Sequence, residues 1–181
     1  MSDLGLFIFI SSILVVLYLL WIIIPAISGL PWIPTKLSRI RRALNLAHLS
    51  RDEVLYDLGS GDGRALIMAA REFGARAVGI EISPIHCIIA RIKVLVNGVG
   101  NLVEIKWASF YKADFSNANV IFVYMTSQIA TQLQPYLESQ LRPGTRVITI
   151  SCQLTGWLPK VFDRDELIFI YEVGASPTIY R

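Results

Sequence analysis

Residues Val54–Arg64 read V-L-Y-D-L-G-S-G-D-G-R. The apolar, β-branched and aromatic run Val54–Leu58 predicts a buried strand, and Arg64–Phe73 predicts a helix. Between them Gly59, Gly61 and Gly63 leave three positions without side chains, where backbone approaches a ligand closely. A strand entering a helix through a glycine turn constrains the chain to an α/β fold with a mainly parallel sheet, because the helix must return to a neighbouring strand.

The G-x-G-x-G spacing departs from the G-x-G-x-x-G of dinucleotide folds, and Asp57 and Asp62 bracket the turn. A pyrophosphate at this helix N-terminus needs donors and positive potential, so the two carboxylates disfavour it. S-adenosylmethionine carries a sulfonium and an ammonium instead. Unit charges about 4 Å apart interact by about 4 kcal/mol at an effective dielectric near 20, so an acidic turn selects this cationic cofactor. Ala77–Ile80 predicts the next strand, and Glu81 ends it, 18 residues beyond Gly63. Parallel βαβ geometry puts that strand tip beside the glycine turn, where a carboxylate accepts from both ribose hydroxyls.

Further pieces carry a resemblance: I-P-T at Ile33–Thr35, A-R-A-V-G-I-E-I at Ala75–Ile82, R-P-G-T-R-V-I-T-I-S at Arg142–Ser151, and G-W-L-P-K at Gly156–Lys160. With the glycine block, these make the chain resemble the seven-strand, Rossmann-like methyltransferases. Within them it resembles the small archaeal broad-specificity protein-lysine methyltransferases and their membrane-anchored mitochondrial relatives, from about Pro31 to Gly174. The resemblance implies that Asp57, Gly59, Gly61 and Gly63 hold the methionine and ribose portions of S-adenosylmethionine. It places Glu81 on the ribose hydroxyls, Ser109 and Phe110 at the adenine, and Thr35 over the cofactor. Many relatives have an acidic residue where Ser109 stands, and a second proline where Lys36 follows I-P-T.

Leu4–Ile24 is 21 residues without a charge, a length that fits the roughly 20 residues a helix needs to cross a hydrocarbon core. The expectation is one N-terminal transmembrane helix within residues 1–30, followed by a methyltransferase domain over 31–181. Asp3 in place of a basic n-region argues against a signal peptide. Lys36, Arg39, Arg41 and Arg42 follow without an intervening acid, which orients the catalytic part toward the cytoplasm, or toward the matrix in an organelle. The formal net charge of +3 is too weak and scattered to argue for nucleic acid. Cys87 and Cys152 form no C-x-x-C, and His48 and His86 stand apart from any ligand-spaced cluster, so neither a disulfide framework nor a metal site is expected.

Beyond the glycine block, strands are predicted over Val103–Trp107, Val120–Tyr124, Arg146–Ser151 and Leu167–Val173. Helices are predicted over Lys36–Ala47, Ile85–Asn97 and Gln128–Leu141. Gln153–Asp165 is too short, with Gly156 and Pro159 inside it, for the helix that larger relatives place there. An abbreviated fold follows, with Leu167–Val173 and Thr178–Arg181 pairing antiparallel through a turn at Gly174–Pro177.

Transfer of a methyl group from a sulfonium is an in-line displacement in which positioning and desolvation carry much of the rate. A lysine nucleophile has a free pKa near 10.4 and sheds its proton first, which an apolar aromatic channel beside a cation assists. Tyr124 and Trp157 are the candidate catalytic residues lining such a channel; ordinary packing at a sheet edge is the competing reading. The fourth strand ends V-Y-M-T, not the N-P-P-Y type that holds a planar amide or amine, which disfavours nucleic-acid bases and glutamine as substrates. The function expected is methylation of lysine in membrane or membrane-associated proteins. A lipid or quinone methyltransferase and an inactive membrane-tethered binding module are the alternatives.

Overall fold

The computed structural model describes residues 2–27 and 33–174; within the first helix the side chains of 20–22 and 24–27 are not described. The strands are β1 (Val54–Leu58), β2 (Arg76–Glu81), β3 (Val103–Trp107), β4 (Val120–Tyr124), β5 (Arg146–Ile150), β6 (Val161–Asp163) and β7 (Ile168–Glu172). The helices are α1 (Asp3–Ile27), α2 (Leu37–Leu46), α3 (Arg64–Phe73), α4 (Pro84–Val96) and α5 (Ser127–Gln140). Among the described residues the strands form one sheet in the order β3-β2-β1-β4-β5-β7-β6. The first five are parallel, and β7 runs antiparallel to both β5 and β6.

The central strands are apolar on both faces because helices cover both. Side chains alternate across the sheet: Leu55, Ala77, Val120, Phe122 and Ile148 face α2, α3 and α4, whereas Tyr56, Val78, Ile121, Val123 and Val147 face α5. Local signals set the helix limits. Gly63 and Gly74 flank α3 with left-handed φ of 77° and 67°, which glycine adopts without a Cβ clash. Ser83 caps α4 through its hydroxyl, accepting from the His86 amide at 3.4 Å, with Pro84 at the first helical position, where its missing N–H leaves no helical bond unmade.

Between β5 and β6 the chain makes no helix, and it returns as the β6–β7 hairpin. β7, expected to pair with Thr178–Arg181, instead lies beside β5 with Ile148 opposite Ile170, and β6 forms the edge with Phe162 opposite Phe169. The expected strand Thr178–Arg181, and residues 175–177 of the expected turn, lie outside the described residues. Helix α2 clamps the hairpin: Arg39 Nε donates to the Glu166 carbonyl at 2.7 Å, its Nη2 to Ser151 Oγ at 3.0 Å, and Arg42 pairs with Asp163.

The N-terminal expectation needs correction. Among the described residues no helix is long and apolar enough to cross a membrane. This overturns the transmembrane assignment of Leu4–Ile24 and the single-pass localisation drawn from it. Helix α1 does form over Asp3–Ile27. The expected boundary between residues 30 and 31 falls outside the described residues.

Candidate active site

Strand order reverses between β1 and β4, because β1 is followed on one side by β2 and β3 and on the other by β4. In open parallel sheets the crevice beyond the strand tips at this reversal is where ligands bind. The glycine turn sits there. It is tied to β2 by the Gly59 and Ser60 amides, which donate to the Ile80 carbonyl at 2.8 and 3.1 Å. Gly61 has φ 53° and Gly63 φ 77°; a Cβ at Gly63 would also lie 3.2 Å from the Ala90 Cβ of α4. The turn therefore needs glycine there both for its backbone and for the approach of α3 to α4.

Three carboxylates converge on the turn, and the structure gives each a different state. Glu81, at the tip of β2, is buried and accepts from the Gly61 amide through Oε2 and from the Ser83 amide through Oε1, both at 2.8 Å. Asp62 points away into the helical layer, where Arg64 holds it through Nε and Nη2 at 2.8 Å each and Lys93 Nζ at 2.6 Å. Burial alone would raise its pKa, but the hydrogen bonds and charges of Arg64 and Lys93 outweigh burial and hold it down to about 2. Asp57, one pairing from the tip of β1, is only 5% exposed and has no hydrogen bond or ion pair to its side chain among the described residues. Burial, then the charges of Glu81 and Asp62, push its carboxyl up to about 8.

The turn is thus less uniformly anionic than the sequence implies. Arg64 and Lys93 neutralise Asp62, while Asp57 remains a buried acid without a cation. A buried acid in that condition is stabilised as a carboxylate by an incoming positive charge, and Glu81 still has acceptor capacity on both oxygens. The residues present fit a cationic, hydroxyl-bearing ligand such as S-adenosylmethionine.

The other predicted positions are distributed around this centre. Thr35 is buried just before α2, and its carbonyl accepts from Arg64 Nη1 at 3.0 Å, which links the I-P-T segment to the glycine turn. Ser109 precedes a short 3-10 turn, Phe110–Lys112, beyond the tip of β3; Phe110 is buried and tilted against Tyr111 with centroids 4.4 Å apart. The Ala108 amide donates to the Glu81 carbonyl at 3.0 Å, which ties this segment to β2. Tyr124 ends β4 and backs onto the core beneath α2, α3 and α4. Trp157 backs onto the core beneath α5 on the opposite face. Its Nε1 donates to Glu138 Oε1 at 2.9 Å, and its ring meets Tyr171 edge-on at 5.9 Å. No hydrogen bond or ring contact joins Tyr124 to Trp157 among the described residues.

Sequence reasoning missed the positioning residues Ser83, Arg64 and Lys93. Ser83 had a signal, since serine followed by proline is a helix-start pattern. Lys93 had none: it stands 31 residues from Asp62, and only the packing of α4 against the turn brings it there.

Residues 57–161 match the profile of the ANTKMT methyltransferase domain. The chain is also 36% identical over 155 residues to the protein-lysine N-methyltransferase of Saccharolobus islandicus, covering 85% of this chain and 93% of that protein. The chain belongs to this family. It is 26% identical over 160 residues to the adenine nucleotide translocase lysine N-methyltransferase of Mus musculus, covering 86% of this chain and 69% of that relative. Among solved structures, the Salinibacter ruber RNA methyltransferase in complex with S-adenosyl-L-homocysteine superposes with a TM-score of 0.77 at 37% identity, covering 82% of this chain and 98% of that one. The ANTKMT-family chain is an S-adenosylmethionine-dependent methyltransferase with the seven-strand Rossmann-like fold.

Proposed function

We propose that this methyltransferase acts on the ε-amine of lysine side chains in a protein substrate. The observation that carries this reading is the similarity to the Saccharolobus islandicus protein-lysine N-methyltransferase across 93% of that protein. The site supports it. Asp57 would face the cationic end of S-adenosylmethionine, Glu81 its ribose hydroxyls, and Gly59, Gly61 and Gly63 would let backbone close on it. Ser109 and Phe110 would border the adenine, and Thr35 would cover the turn.

S-adenosylmethionine, when bound, supplies a methyl group activated by a positively charged sulfur. The protein's task is to bring an amine to that group with its lone pair free and water excluded. Tyr124, at the tip of β4 next to the strand-order reversal, is the candidate to border the incoming lysine and assist its deprotonation by desolvation. Trp157, anchored by Glu138 on the α5 face, would shape the approach from that side.

The test is transfer of tritium from labelled S-adenosylmethionine to a protein extract and to RNA, with acid hydrolysis of the labelled product. The Salinibacter ruber relative is named an RNA methyltransferase, so RNA is the second arm. Label recovered as methyl-lysine is the expected outcome; label confined to RNA would overturn the proposal. Tyr124→Ala should lower kcat by at least about tenfold, equivalent to about 1.4 kcal/mol of barrier, with cofactor affinity retained.

A further inference from the structure

A second concavity, about 420 Å³ in volume, runs along the side of α3 turned away from the sheet, between α2 and α4. Its apolar floor is Leu37, Ile67 and Met68. Its polar wall carries four cations: Arg41 from α2, Arg64 and Arg71 from α3, and Lys93 from α4.

These cations are incompletely neutralised. Arg41 is matched by Glu72 in a bidentate pair, Nε to Oε2 at 2.5 Å and Nη2 to Oε1 at 2.7 Å. Arg64 and Lys93 share the single carboxylate of Asp62. Arg71 makes no ion pair among the described residues; its Nη1 donates to the neutral Asn97 Oδ1 at 2.9 Å. Among the described lining residues, four cations against two carboxylates leave a net charge of +2, with Asp62 shared by Arg64 and Lys93 and Glu72 acting on both Arg41 and Arg71.

We infer that this cavity binds an organic phosphate: a phosphate monoester whose dianionic head meets Arg71, Arg64 and Lys93 and whose apolar body rests on Leu37, Ile67 and Met68. A phosphate monoester carries a charge of about −1.5 to −2 at pH 7, which answers the excess, whereas a carboxylate answers only half of it. Guanidinium groups present forked donors suited to phosphate oxygens. The volume lies in the range of about 300 to 1,000 Å³ that small-molecule sites occupy and is too large for an inorganic anion alone. The site is separate from the proposed cofactor crevice, although its Arg64 and Lys93 also hold Asp62 of the glycine turn.

The test is calorimetric titration of the full chain, saturated with S-adenosylhomocysteine, with 1-naphthyl phosphate, inorganic phosphate and 1-naphthoate at low salt. The expected result is one naphthyl phosphate per chain, bound at least about tenfold more tightly than the other two probes and weakening as salt is added. Arg71→Gln should reduce that affinity by about tenfold or more while leaving S-adenosylhomocysteine affinity unchanged, which shows the variant is folded. Absence of naphthyl phosphate binding would overturn the inference, as would binding undiminished in both Arg71→Gln and the Arg41→Gln/Arg71→Gln double variant. Equal affinity for inorganic phosphate would overturn the role of the apolar floor and with it the organic ligand.

Discussion

Asp57 sits against two other carboxylates with no cation of its own among the described residues, and its carboxyl, raised to about 8, stays protonated in the free protein at neutral pH. For an acid whose folded pKa lies above its unfolded value, the stabilising contribution is fully present below the unfolded value, near 4. It is lost as pH rises through the folded one. Thermal melts of the free protein should therefore show Tm falling between about pH 4 and pH 8, and Asp57→Asn should flatten that slope; an unchanged slope would remove Asp57 as its source. Glu81 stands differently, because the Gly61 and Ser83 amides already compensate it. Glu81→Ala should cut S-adenosylhomocysteine affinity by about 1.5 to 3 kcal/mol, the worth of a charge-assisted hydrogen bond, as read by calorimetry. In the sequence Asp57 and Asp62 look like twins flanking one turn. What separates them is the direction of two side chains and the arrival of Lys93 from a later helix, neither of which spacing encodes.

At the level of elements, the glycine turn depends on a glycine outside it. A Cβ on Gly79 in β2 would stand 2.5 Å from Leu66 Cδ1 of α3 and 2.6 Å from Ser60 Oγ. Gly79→Ala should therefore destabilise the fold by about 1 to 3 kcal/mol, the usual range for overpacking a core, and shift the turn; chemical denaturation and cofactor titration measure the two effects. The strands β1, β3 and β4 and helix α3 were legible to the residue in the sequence, because each is an apolar or amphipathic run of the right length for its element. β6 was not legible. A three-residue strand, Val161–Asp163, has no periodicity to detect, and it exists through its pairing with β7. Gly79 was likewise silent, since its need for hydrogen in place of a side chain comes from how closely α3 lies on the sheet.

On the scale of the whole molecule, α2 joins the two ends of the domain. Arg39 and Arg42 reach the β6–β7 hairpin, and Arg146 of β5 bonds Glu53 and the carbonyls of Ala47 and His48. Arg39→Ala should loosen the hairpin before the parallel core, visible as faster amide exchange at Ser151 and Lys160, whose amides bond Leu167 and Ile170. Equal exchange in the variant and the parent would show that α2 is not the clamp. The sheet's outer strands carry a further consequence. β6 offers only three residues, and β3 places Glu104 and Lys106 among its outward positions. Unpaired strand backbone is a template for another chain, and short edges and charges are what deter it. Replacing both Glu104 and Lys106 with valine should make the variant precipitate as β-rich fibres more readily than the parent, with its methyl-donor crevice intact.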